Sequence, residues 1–171
     1  VQKDAIVYAA DIILKNKSSE HFPVDVFQTG SGTSTNMNVN EVLSNLANKY
    51  PKIENGNNIH PNDHVNMGQS SNDVIPTAIN VSSMIMIEQK LIPSLKNMIA
   101  VLKKKESEFK DVLKIGRTHL QDATPITLGQ EFSGYKEMIS KSLKRIQQAK
   151  ENLRRLAQGG TAVGTGINTH K

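Results

Sequence analysis

Phe132, Tyr135, Ile139, Leu143, Ile146, Ala149, Leu153 and Leu156 follow one another at steps of three and four residues. That spacing keeps them on one side of an α-helix and forms the seam of a long bundle helix. Starting near Thr127 or Leu128 and running to Gly159 and Gly160, it predicts some thirty residues, a rod of about 45 Å at ~1.5 Å per residue. A chain of 171 residues cannot cover such a rod with its own side chains, so the stripe calls for other helices or other subunits. Hydrophobic residues make up 37% of the chain and aromatics only 4%, which suits helices built on Leu, Ile, Val and Met and argues against an aromatic-rich β-sandwich. The stripe is therefore read as core, not as a cofactor site. The fold class expected is mainly α.

The rest of the chain supports that class. Ile6, Ala9, Ala10, Ile13 and Leu14 recur at helical spacing, so residues 1–20 read as the tail of a helix. Because the chain opens on Val1 in mid-pattern, it is expected to be a segment of a longer protein. A second helix is expected around 38–50, ended by Pro51. Residues 51–68, rich in Pro, Asn and Gly, are expected to be irregular. Ser70, Ser71, Asn72 and Asp73 open a long helix in which Pro76 is tolerated, and Pro93 should break or kink it. Residues 112–116 are short and β-branched enough to be extended.

Composition also narrows the function. The net charge of +5 comes from Lys and Arg interleaved with Glu on helical patterns, the look of a solvated face. No recognition helix, zinc finger or aromatic stacking motif accompanies it, so no nucleic acid is expected as a partner. A modest positive field would equally favour a small dianion. No apolar run approaches the ~18 residues of a spanning helix, so no membrane is expected either. The absence of cysteine excludes disulfides and Cys-ligated zinc or iron–sulfur sites in this segment.

Three patches share one chemistry. Residues 28–41 alternate Gly30 and Gly32 with Ser31, Thr33 and Thr35, then run into Asn36, Asn38 and Asn40. This is poor material for a core. The glycines let backbone approach a ligand, the side chains are neutral donors, and a following helix N-terminus would complete an anion cradle. The second patch is His60-Pro-Asn-Asp63 leading to Gln69-Ser-Ser-Asn-Asp73. A helix needs one N-cap side chain, and here three stand together. The third, Gly116-Arg-Thr-His-Leu-Gln-Asp-Ala-Thr-Pro125, sets Thr118 beside His119, whose imidazole can orient water or move protons.

These patches, with Gly159-Gly-Thr-Ala-Val-Gly-Thr-Gly-Ile-Asn-Thr169, closely resemble class II fumarases, the metal-free fumarate hydratases of the fumarase/aspartase superfamily. The resemblance spans nearly the whole chain. Its nearest alternative is aspartate ammonia-lyase, or another lyase of the superfamily. Aspartases carry Thr-Gln where this chain has Thr118-His119, and Ser-Thr-Asn-Asp where it has Ser71, so both positions favour fumarase. A non-catalytic helical assembly module, its polar loops merely capping helices, is the reading from a different class.

The resemblance implies a helical N-terminal lyase domain with irregular loops over 1–68 and the first part of a central helical bundle over 69–171. It implies reversible hydration of fumarate to malate in the tricarboxylic acid cycle, in the cytoplasm or the mitochondrial matrix, with no cofactor and no metal. It implies a homotetramer whose active sites are shared between subunits, each giving one patch. His119 resembles the catalytic histidine that binds water. Ser31, Gly32, Thr33, Ser70, Ser71, Asn72 and Thr118 resemble substrate-binding residues, and His60, Pro61, Asn62 and Asp63 a secondary dicarboxylate site. At that secondary site a basic residue is expected shortly before His60, and Asn57 or Asn58 stands there instead. The family's Gly-Ser-Ser-x-Met-Pro-x-Lys-x-Asn loop, which supplies the serine base, has no counterpart in these 171 residues. The segment alone is therefore expected to be inactive. A preorganised set of neutral donors suits this chemistry, since removing a proton beside a carboxylate builds charge that must be met.

Overall fold

The computed structural model describes residues 1–16, 19–53 and 58–170. Residues 54–57 of the stretch expected to be irregular, Asn57 among them, lie outside the described residues, as does Lys171. The protein is mainly α-helical and divides into two compact units, Val1–Ile79 with Leu156–Lys171, and Asn80–Arg155. No helix among the described residues is long and apolar enough to cross a membrane.

In the first unit, α1 (Gln2–Asn16) packs against α2 (Thr33–Ala47) through small side chains. Ala5, Ala9 and Ala47 are fully buried together with Ile59, and Leu43, Leu46, Tyr50 and Val65 close around them. Asn48 holds Ile59 at both ends of its peptide, accepting its N–H at 2.7 Å and donating to its carbonyl at 3.1 Å. That fixes the chain just before His60. A single π-turn, Pro61–Val65, lies within the segment expected to be irregular.

Two expectations for α2 are corrected. It begins at Thr33 rather than near Asn38, because Gly32 takes the left-handed conformation (φ 63°) that turns the loop into the helix. A Cβ on Gly32 would also lie 2.9 Å from Ile75 Cγ2, so the glycine permits close packing as well. Nor are the asparagines outside the core. Asn40 is 1% and Asn36 7% exposed, and both donate to Asn66 Oδ1, at 3.0 and 3.1 Å. Buried amides are stable when paired in this way.

Helix α3 (Ser71–Met86) begins in the first unit and runs into the second, where a π-turn (Ile87–Leu91) leads without a break into α4 (Ile92–Glu108). Pro93, expected to break or kink the helix, does not break it. Its ring would crowd the carbonyl four residues earlier, and the widened π-turn just before it relieves that crowding. The extended segment expected at 112–116 is a strand at 113–118, and it pairs with a strand not anticipated. Strand β1 (Leu113–Thr118) and β2 (Gln121–Thr127) form an antiparallel hairpin. Pro125 sits in β2, allowed because a two-stranded sheet has only edges.

Helix α5 (Leu128–Ala149) opens on a capping box between Thr127 and Gln130 and packs along α4. Close approach is possible at Gly129, where a Cβ would meet Glu106 O at 2.6 Å. The helix has 22 residues and not thirty. Beyond Ala149 it tightens into a 3₁₀ turn (Lys150–Arg154), and Asn80 Nδ2 takes the Arg155 carbonyl at 3.0 Å, diverting the chain before the glycines. Leu156, the last residue of the stripe, is 48% exposed.

Candidate functional site

The first two patches meet. Four hydroxyls form a chain: Thr29 Oγ1 to Ser31 Oγ at 3.3 Å, Ser31 Oγ to Thr33 Oγ1 at 3.0 Å, and Thr33 Oγ1 to Ser71 Oγ at 3.2 Å. All are solvent-accessible, and they lie at the N-termini of α2 and α3. Helix α2 has no side chain capping it through Gly32. Each hydroxyl can donate one hydrogen bond and accept others, so the chain can turn its protons toward an anion without carrying fixed charge. Expected as contributions of different subunits, these two patches are side by side in one chain. The reason is local: Gly32 lets Ile75 of α3 press against the start of α2.

Not every hydroxyl and amide of the patches is equally placed. Ser70 Oγ accepts the Asn72 N–H at 3.3 Å, the bond of an N-cap, which leaves its proton for another acceptor. Asn72 Nδ2 donates to the Ala162 carbonyl at 3.0 Å, committing one of its two N–H bonds. Thr35 is turned to Gln28, whose amide donates to its hydroxyl at 2.8 Å and accepts its backbone N–H at 3.2 Å. Asn36, counted among the donors from sequence, belongs to the buried amide cluster instead. Gly32 offers conformation and space, as described above.

At the proposed secondary site, His60 caps its own π-turn. Its Nδ1 accepts the N–H groups of Asn62 and Asp63, at 3.3 and 3.2 Å. The Asp63 carboxylate also lies 3.2 Å from the same nitrogen. The backbone N–H of His60 donates to His64 Nδ1 at 2.8 Å. Asn58 is exposed. Pro61 starts the turn, where its missing N–H costs nothing.

Thr118 and His119 stand in the second unit, at the tip of the hairpin. His119 and Leu120 both have positive φ, 50° and 62°, the backbone of a two-residue hairpin turn that normally takes Asn or Gly. Leu120 is 95% exposed, so no packing offsets its strained conformation. Non-glycine residues in this region concentrate at functional positions. Across the hairpin Arg117 Nε donates to Asp122 Oδ1 at 3.1 Å, an exposed pair that steadies the tip only slightly.

Asp73, read from the sequence only as one of four residues opening a helix, is 1% exposed. Its Oδ1 accepts the Ser70 N–H at 2.9 Å, while Oδ2 accepts those of Gly159 at 3.1 Å and Thr161 at 2.8 Å. Burial pushes its acidity toward the neutral form. The N–H groups of Ser70, Thr161, Gly159 and its own residue outweigh that and hold its pKa below the ordinary 3.8. The serine three residues ahead was the available signal, as one half of a capping box. For Asn66 the sequence held none.

A family model described as lyase matches residues 1–171. The class II fumarate hydratase of Helicobacter pylori strain J99 is 55% identical over 175 residues, covering 99% of this chain and 37% of that protein. The mitochondrial fumarate hydratase of Rhizopus oryzae is 54% identical over 170 residues, covering 98% and 34%. The crystal structure of a recombinant class II fumarase from Schistosoma mansoni superposes with a TM-score of 0.91 at 48% identity, over 99% of this chain and 36% of that one. The chain thus spans little more than a third of the length of these proteins.

Proposed function

Because this chain belongs to the lyase family, we propose that the protein carrying it hydrates fumarate to malate and catalyses the reverse dehydration. The observation that carries the reading is the hydroxyl chain from Thr29 to Ser71, poised where two helices begin. In this reading Ser31, Thr33, Ser70, Ser71, Asn72 and Thr118 donate to the substrate carboxylates, with Gly32 shaping the loop. As a proton leaves the carbon beside one carboxylate, charge moves onto that carboxylate and the donors strengthen their hold. His119 orients the water added or lost. The serine base comes from a segment outside these residues. His60, Pro61, Asn62 and Asp63 form an accessory dicarboxylate site, and Thr118 with His119 reaches the first two patches from another subunit of a homotetramer. Residues 1–68 belong to the N-terminal lyase domain and 69–171 open the central bundle. The setting is the cytoplasm or, in a eukaryote, the mitochondrial matrix, within the tricarboxylic acid cycle.

The test is direct. The native protein that carries this chain, given malate, should form the fumarate double bond, followed by its ultraviolet absorbance. Release of ammonia from aspartate with no action on malate would replace this reading by the aspartase one, which Ser71 and His119 argue against. Binding of no dicarboxylate at all would leave the patches as helix caps.

A further inference from the structure

We propose that Asp73 is a positioning residue for the dicarboxylate site: its carboxylate holds the 159–161 turn against the first turn of α3, and so fixes the direction in which Ser71 and Asn72 present their donors. The proposal rests on the lyase reading above.

Both carboxylate oxygens are used: Oδ1 takes the Ser70 N–H at the start of α3, and Oδ2 takes the N–H groups of residues 86 and 88 positions further along the chain. A second link runs between the same two segments in the opposite sense, from Asn72 Nδ2 to the Ala162 carbonyl. The 159–161 turn would not keep its shape unaided. Gly159 and Thr161 both lie in left-handed backbone, at φ 92° and 55°, and for a β-branched residue that conformation is unfavourable. Thr161 is also 6% exposed, and its Oγ1 has no hydrogen-bond partner among the described residues. What the conformation does provide is a pair of N–H groups converging on one carboxylate oxygen. Thr161 of the turn, with Ala162 and Asn168 beyond it, walls a cavity of about 320 Å³ that reaches Asn62 and Ser70.

Asp73 touches no reacting atom in this account. It acts through the two residues that precede it, so a shift of the turn moves donors whose aim governs substrate binding. A cap that served stability alone would leave those donors where they are.

The test uses the native protein. Asp73→Asn removes the charge and replaces one accepting oxygen with an amide NH2, which cannot accept, so the Ser70 N–H and the two converging N–H groups can no longer all be held. It should raise KM for fumarate about tenfold or more, as small displacements of binding groups do, with a smaller loss in kcat. Amide exchange at Gly159 and Thr161 should quicken while the melting transition stays cooperative. Gly159→Ala disturbs the clamp from its other side, since a Cβ there meets no atom within 4 Å but sits on left-handed backbone. It should move KM in the same direction by a smaller factor, and it decides the matter if the Asp73 variant does not fold. Unchanged KM and kcat per folded molecule in the variants, or unchanged exchange at Gly159 and Thr161 in Asp73→Asn, overturns the proposal. An unsubstituted protein that turns over neither fumarate nor malate would instead sink the lyase reading, with exchange still reporting whether Asp73 holds the turn.

Discussion

The hydroxyls of Thr33 and Ser71, 38 positions apart in the chain, stand 3.2 Å from each other. Nothing covalent or periodic brings them together. They meet because α2 and α3 start at the same place in the first unit, with Gly32 opening the space that Ile75 fills. A run of neutral donors at two helix N-termini is an arrangement that can meet an anion on either side.

Removing the middle of that run should weaken the site without harming the fold. Thr33→Val keeps the shape and deletes one hydroxyl that is exposed in the free protein. A carboxylate oxygen left without its donor costs about 1–3 kcal/mol. The expected outcome is a clear drop in kcat/KM for fumarate with an unchanged melting temperature. A fallen melting temperature with normal activity per folded molecule would make the hydroxyl structural.

The hairpin tip allows chemistry and backbone to be separated. His119→Asn puts at φ 50° a residue that tolerates left-handed backbone, so the turn should survive while the imidazole is lost. Turnover should fall by about 10²-fold or more, the scale of a missing proton-transfer group. Leu120→Gly should act in the other direction on stability. It deletes a side chain that packs on nothing within its own chain and relieves a conformation costing about 1–2 kcal/mol, which denaturant unfolding would register as a raised midpoint.

The amide cluster should be sensitive to small changes. Asn66→Leu keeps bulk but strands the buried Nδ2 groups of Asn36 and Asn40. At about 1–3 kcal/mol for each buried donor left unsatisfied, the loss is expected to be among the largest for any single change in the first unit. Urea unfolding compared with Asn38→Ala measures it, since Asn38 is only partly buried and its amide donates to the His21 carbonyl.

Acidification should find Asp73. Its pKa in the folded protein is held below its ordinary value, so the folded state binds that proton more weakly than the unfolded chain does. The resulting stability is fully present above the ordinary carboxylate range and is lost as pH falls through the lower folded value. Melting temperature should therefore drop more steeply below about pH 4 in the unsubstituted protein than in Asp73→Asn. Parallel pH profiles would mean that the carboxylate is not held as the geometry indicates.

The sequence by itself determined the helical class, the positions of the three polar patches and, through them, the family. These follow from local rules, because periodicity marks helix faces and Gly, Ser, Thr and Asn in runs mark places where backbone and donors are exposed. It was also enough to find the starts of α3 and α5, where side chains cap the helix within a few residues. Tertiary structure alone decided the rest. Asn36 and Asn40 look like loop residues until Asn66, 26 positions beyond Asn40, supplies the acceptor that lets them be buried. The long helix gives way to a 3₁₀ turn after Ala149, and where that turn ends Asn80 takes the carbonyl of Arg155. Strand β2 exists because β1 offers it partners, and the two patches share one surface because two helix starts pack together. Apart from the hairpin, whose strands are neighbours in the chain, each of these rests on a hydrogen bond or a contact between residues far apart in the chain, which no local pattern encodes.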